Sequence, residues 1–228
     1  MIRVHIICEG QTEETFIKDV MMEVFATKGI YLEPALVGRP GHKGGNLKFE
    51  RLLTDVKSRL LSDQQCYCTT FFDFYGLPED FPGKKDAGSV VEVMEKAEKI
   101  TDALKDRIEE KIGQKSMQRF IPYVQMHEFE GLLFSDPAGF AGAIEKPELA
   151  GNFQSIRNGF ETPEQINDSP VTAPSKRILD LFREYEKPLH GALAALEIGL
   201  GAIRQECQLF DSWLKKIEAL APKPSDLP

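Results

Sequence analysis

Residues 1–16 read MIRVHIICEGQTEETF, an apolar run that stops abruptly in acid and glycine. Val4, Ile6, Ile7 and Cys8 suit a short buried strand, rich in β-branched side chains and closed by Gly10. A helix is expected directly behind it. Thr12 is the expected N-cap, Glu13 and Glu14 complement the first-turn dipole, and Phe16, Ile17, Val20, Met21, Val24 and Phe25 form an apolar stripe before Gly29. Strand, turn and helix in that order open an α/β fold.

The alternation continues along the chain. Residues 30–37, 66–72 and 120–125 read as further strands. Helices are expected between them, one marked by Phe49, Leu52, Leu53, Val56, Leu60 and Leu61, the other by Val90, Met94, Ala97, Ile100, Leu104 and Ile108. Such βαβ crossovers imply a mainly parallel sheet with helices on both faces. After Phe134 the pattern changes to helices punctuated by Pro and Gly, including stretches over 177–186 and 203–220. Residues 1–134 are therefore expected to form an α/β core and residues 135–228 a helical cap packed on it as part of one structural unit.

Charge and cysteine usage narrow the function classes. The formal net charge of −8 repels nucleic acid unless basic residues gather locally or a partner supplies them. The opening residues lack the apolar segment and cleavage site of a signal peptide, and no later run is long enough to span a bilayer, so a cytoplasmic protein without membrane contact is expected. Cys8, Cys66, Cys68 and Cys207 lie in apolar contexts without CxxC spacing, which suits buried thiols better than zinc or disulfides.

In an open parallel sheet, ligands bind where the strands end at their carboxyl edge. Glu9 follows the first strand and Asp73 the third, so the topology is expected to bring two carboxylates together, and their repulsion calls for a cation. Mg2+ (or Mn2+) is the natural one, being held by one or two carboxylates plus water and phosphate oxygens. The alternative is that both acids merely terminate strands. Glu13, four residues beyond Glu9, either faces the same cation or complements the helix dipole.

Three further stretches carry candidate chemistry. In FFDFYGLPEDFPG (71–83), Gly76 permits a close approach, Glu79 and Asp80 add acids, and Lys84 and Lys85 follow as candidate phosphate contacts. In PYVQMHEFEGLLFSD (122–136), His127 and Glu130 would share a helix face at i, i+3 spacing, with Glu128 pointing elsewhere. That pair reads either as a buried His–Glu hydrogen bond or as metal or proton chemistry. In GRPGHKGGNLKFER (38–51), Arg39, His42, Lys43 and Lys48 lie among glycines able to approach a phosphate, although the P-loop order is absent.

CEGQTEE (8–14) and DFYGLPEDFPG (73–83) resemble the Toprim family of topoisomerases, primases and nucleases. In that family a Glu after the first strand, followed by Gly, and an Asp-x-Asp pair after the third bind magnesium; Glu9, Gly10 and Asp73 occupy those places. Tyr75 stands where the second Asp is expected, so Glu79 or Asp80 would have to substitute. A closer resemblance spans nearly the whole chain. QMHEFEGLLFSD (125–136), APSKRI (173–178) and HGALAALEIGL (190–200), with the earlier motifs, are similar to a bacterial family catalogued as domain of unknown function 4276 and classed as Toprim-like.

What the resemblance implies is a Mg2+-dependent nuclease or phosphodiester-transfer domain. It would act with an ATPase of the ABC or AAA type in phage defence or DNA repair, in the manner of the overcoming-lysogenisation-defect nucleases. Glu9 and Asp73 would hold the metal and Glu13 would join them, since it occupies the EGxxE position of those nucleases. Asp80, Glu128 or Glu130 would complete the ligand set, with Gly10, Gly76 and His127 shaping the site. Nucleic acid is the implied partner, and a homo-oligomer is left open. The rival readings are a non-catalytic nucleotide or nucleic-acid sensor and an ATPase-docking module.

Overall fold

Val4, Ile6 and Ile7 are fully buried, and the opening run forms β1 (Ile2–Cys8), paired in parallel on both sides. Its neighbours are β2 (Ile30–Leu36) and β3 (Cys66–Asp73), in register at Cys8 with Leu36 and with Phe71. β3 in turn pairs with β4 (Phe120–Ile121) and β5 (Val124–Gln125), so the sheet order is β2-β1-β3-β4 with β5 also on β3. A mainly parallel α/β sheet with flanking helices is thus what the alternating sequence builds. The computed structural model describes residues 1–38, 47–167 and 172–222.

The chain divides into two units. The first comprises Met1–Phe72, Gly76–Val124 and the chain from Trp213; the second comprises Asp73–Tyr75 and Gln125–Ser212.

In the first unit the crossover after β1 is helical from Gln11–Phe16 through a π turn at Ile17–Met21 to Met22–Ala26. Gly10, not Thr12, is its N-cap, because the Glu13 carboxylate reaches back to accept the Gly10 N–H at 3.0 Å and Thr12 is buried. Helix Phe49–Ser62 buries Leu52, Val56 and Leu60, and helix Val93–Ile112 buries Ala97, Ile100, Leu104 and Ile108. Leu61 and Met94, expected on those apolar faces, are exposed; each lies off the stripe that the turn-by-turn spacing keeps inward. The Arg119 guanidinium donates to the carbonyls of Leu60, Asp63 and Cys66, fastening the end of one helix to the start of β3. Trp213 Nε1 donates to Thr69 Oγ1 at 2.8 Å, and its indole stacks on Tyr123 with centroids 4.5 Å apart.

The second unit is helical apart from its share of the strand ends. It contains 3-10 helix Phe129–Ser135, helices Pro137–Ala143, Ala150–Arg157, Pro174–Leu181 and Ala192–Glu206, a π turn at Lys187–Gly191 and the first turn of Gln208–Glu218. Its core includes Phe140 stacked on Phe153 at 4.5 Å, with the edge of Phe134 against both. All four cysteines are buried free thiols, and burial pushes Cys68 up to about 12, as inert packing residues require.

Glu164 is a buried acid of this unit with an evident structural task. Its two oxygens accept the backbone N–H groups of Leu209 and Phe210, each at 2.9 Å, at the start of helix Gln208–Glu218. Burial outweighs these bonds and raises its pKa to about 7. A raised folded pKa means that the stabilisation is complete below the unfolded value near 4.5 and is lost as pH rises through about 7. We expect urea denaturation between pH 4.5 and 7.5 to show wild type losing on the order of 3 kcal/mol relative to Glu164→Gln as pH rises. Parallel stability curves would contradict this assignment.

Candidate functional site

The acids expected at the strand ends have different local partners. In the first unit the Glu9 N–H donates to the Phe71 carbonyl at 3.3 Å, continuing the β1–β3 ladder one residue beyond the strand. The Glu9 carboxylate lies over Gly76: a Cβ there would stand 2.1 Å from Oε1 and 2.4 Å from Oε2. Gly76 therefore makes the seat of Glu9, at φ outside the left-handed region, so the requirement is space and not backbone freedom. Lys84 belongs to the same unit and is only 7 % exposed. Desolvation lowers its pKa to about 8, opposed by the negative charges of Glu79 and Glu9.

The second unit gathers Asp73, Glu130 and a residue that the sequence reading missed, Lys187. Asp73 Oδ1 accepts the Phe129 N–H at 2.8 Å, while Oδ2 lies 2.7 Å from the Lys187 ammonium. The same ammonium is 3.3 Å from Glu130 Oε2, and it sits over the Phe129 ring at 5.8 Å. Glu130 is 1 % exposed, and neither of its oxygens has a well-formed hydrogen bond among the described residues. Burial raises its pKa, and the Lys187 charge works against that rise. Beside it, Glu128 Oε2 accepts the Ser175 N–H at 2.9 Å, in the first turn of helix Pro174–Leu181.

His127 and Glu130 do not share a helix face, and Glu130 accepts no hydrogen bond from the imidazole. Helical structure begins only at Phe129, as a 3-10 helix, so the i, i+3 face assumed for the pair does not form. His127 instead packs on Tyr75, with ring centroids 5.5 Å apart, and its carbonyl accepts the Tyr75 N–H at 3.0 Å. The Tyr75 hydroxyl accepts from the Asn167 side-chain amide. Tyr75 is thus a hydrogen-bonded phenol packed at a tilt against the imidazole.

The other candidates scatter. Glu13 is buried as the cap of its own helix, and Gly10 supplies the capped N–H. Asp80, Lys85 and Lys48 are exposed. Arg39, His42 and Lys43 lie outside the described residues.

Residues 8–218 match the family described as Domain of unknown function (DUF4276). The chain belongs to the DUF4276 family. Neither a curated protein nor a solved structure matches it. Within this family member, Glu9, Asp73, Glu130 and Lys187 all fall inside the matched span. Lys187 lies three residues ahead of the HGALAALEIGL motif, and the sequence reading passed over it; the one signal able to find it is physical, that buried carboxylates need a cation and the chain can supply its own.

Because an added Cβ would meet only the flexible end of Glu9, Gly76→Ala should displace that carboxylate without breaking the fold. We expect a stability loss below about 1 kcal/mol in wild type and none in a Glu9→Ala background, read from urea denaturation as a double-mutant cycle. Equal losses in both backgrounds would show that Gly76 does not serve Glu9.

Proposed function

We propose that this DUF4276 protein is a divalent-metal-dependent phosphodiesterase of Toprim type, acting on nucleic acid in partnership with an ATPase in phage defence or DNA repair. The observation that carries the reading is Glu130, a buried carboxylate with no well-formed hydrogen bond to either oxygen among the described residues, sharing one ammonium with Asp73. Among the described residues no group of three or more His, Cys, Asp or Glu side chains is arranged to hold a metal. Two carboxylates and water suffice for Mg2+ or Mn2+, and the donor set is all oxygen, as hard cations prefer. Asp73 and Glu130 would hold the ion, with Glu128 beside them, and Glu130 takes over from the acid that Tyr75 replaces.

When bound, such an ion supplies an activated water and charge stabilisation at the leaving oxygen. The protein's own groups do the rest. Lys187 neutralises the two acids before the ion arrives and then offers its ammonium to a phosphate oxygen. In the first unit Lys84, with its pKa near 8, holds a proton on Nζ that it can release near neutral pH, and Glu9 keeps negative charge beside it.

The docking-module alternative has one observation in its favour. Leu189, Leu193 and Leu196 are spaced i, i+4, i+7 and are all about half exposed, an apolar stripe suited to a partner such as the ATPase. No helix among the described residues is long and apolar enough to cross a membrane.

The direct test is cleavage of single- and double-stranded DNA and RNA with Mg2+ or Mn2+, alone and with the candidate ATPase. Asp73→Asn, Glu130→Gln and Glu9→Gln should each lower activity at least about a hundredfold, the scale of losing one charged catalytic element. Full activity in the Asp73 and Glu130 variants would sink the enzyme reading and favour the docking module.

A further inference from the structure

Tyr185 lies in the turn between helix Pro174–Leu181 and the π turn that carries Lys187. Its ring is well packed: it meets the edge of Phe140 at 6.4 Å and stacks on His190 at 5.7 Å. The residue is 8 % exposed, yet its hydroxyl has no hydrogen-bond partner among the described residues. A buried hydroxyl left this way gives up its bonds to water without replacement, so it calls for an explanation. Burial raises its pKa well above 10, and the charges that act on it are those of Glu130, Lys187, Glu128 and Asp73. Tyr185 stands two residues before Lys187 in the same short segment, and its buried phenol stays protonated, a donor with nothing to donate to among the described residues.

Two under-satisfied groups of opposite kind thus occur in this unit: an O–H without an acceptor and a carboxylate whose oxygens have no well-formed hydrogen bond, one of them only 3.3 Å from the Lys187 ammonium. They do not bond to each other. A metal ion alone would satisfy Glu130 and leave the phenol unmet, since a cation accepts no hydrogen bond. An anionic oxygen arriving with the ion satisfies both.

We infer that Tyr185 is a ligand-contacting residue of this cluster, its phenol donating a hydrogen bond to an oxygen of the phosphoryl group held there. The inference rests on the phosphodiesterase reading and adds a residue that neither the strand-edge argument nor the family motifs mark. Lys187, two residues on, gives the same oxyanion a positive charge, so one short segment supplies both the neutral and the charged donor.

The test uses the full chain, with Mg2+ and inorganic phosphate as probes, read by calorimetry and melting temperature. Tyr185→Phe keeps the ring packing and removes only the hydroxyl; Tyr31→Phe, on an exposed residue of β2, is the control. Phosphate binding in the presence of Mg2+ should weaken about tenfold in Tyr185→Phe, while binding of Mg2+ alone stays within about twofold of wild type. The unliganded variant should melt no lower than wild type, because it buries one unmet group fewer. Unchanged phosphate affinity in Tyr185→Phe overturns the inference, as does a lower unliganded melting temperature, which would reveal an internal partner for the phenol. If Mg2+ binding depends on Asp73 while Tyr185→Phe has no effect, only this inference falls. If wild type binds neither probe, the phosphodiesterase reading falls with it.

Discussion

One ammonium serving two carboxylates is the constraint around which the second unit is arranged. Asp73 and Glu130 come from segments 57 residues apart in sequence, and burying both without a counter-charge would cost several kcal/mol. Lys187 removes that cost only if its π turn is held in place. The neighbouring contacts do this: the Phe129 N–H fixes Asp73, the Phe129 ring lies under the ammonium, and Tyr185 is wedged between Phe140 and His190. A π turn at such a position is a frequent mark of a functional segment. Lys187 keeps 32 % of its side chain exposed, so solvent screens its charge and the compensation is partial.

The sheet was legible in the sequence because its signals are local and redundant. Val4 to Cys8, Cys66 to Phe72 and the helix stripes each carry a period that packing alone enforces, and the structure deviates chiefly at stripe edges such as Leu61 and Met94. The site was legible in part. Asp73 was marked by its place after the third strand, Glu130 by its spacing from His127, and Gly76 as a point of close approach. The role of Gly76, however, is to clear room for the Glu9 side chain, which no local pattern encodes.

Other features depend on contacts distant in sequence. Lys187 looks like an ordinary surface lysine between Glu184, Glu186 and a proline, and only the fold turns it inward to acids more than fifty residues away. Tyr185 is equally plain in sequence. The shared helix face expected for His127 and Glu130 does not form because the residues after β5 enter a 3-10 helix late, at Phe129. Glu13, expected either to face a cation or to complement the helix dipole, makes a local contact as well: its carboxylate accepts the Gly10 N–H.

The central claim is that Asp73 and Glu130 form a centre that demands a cation, met in the protein itself by Lys187. The most direct measurement is the unfolding free energy of Lys187→Met in EDTA and in Mg2+, beside wild type. The account predicts that the variant loses about 2–3 kcal/mol in EDTA, less than a fully buried pair would because Lys187 is partly exposed, and that Mg2+ restores more stability to it than to wild type. A variant as stable as wild type in EDTA and indifferent to Mg2+ would contradict it.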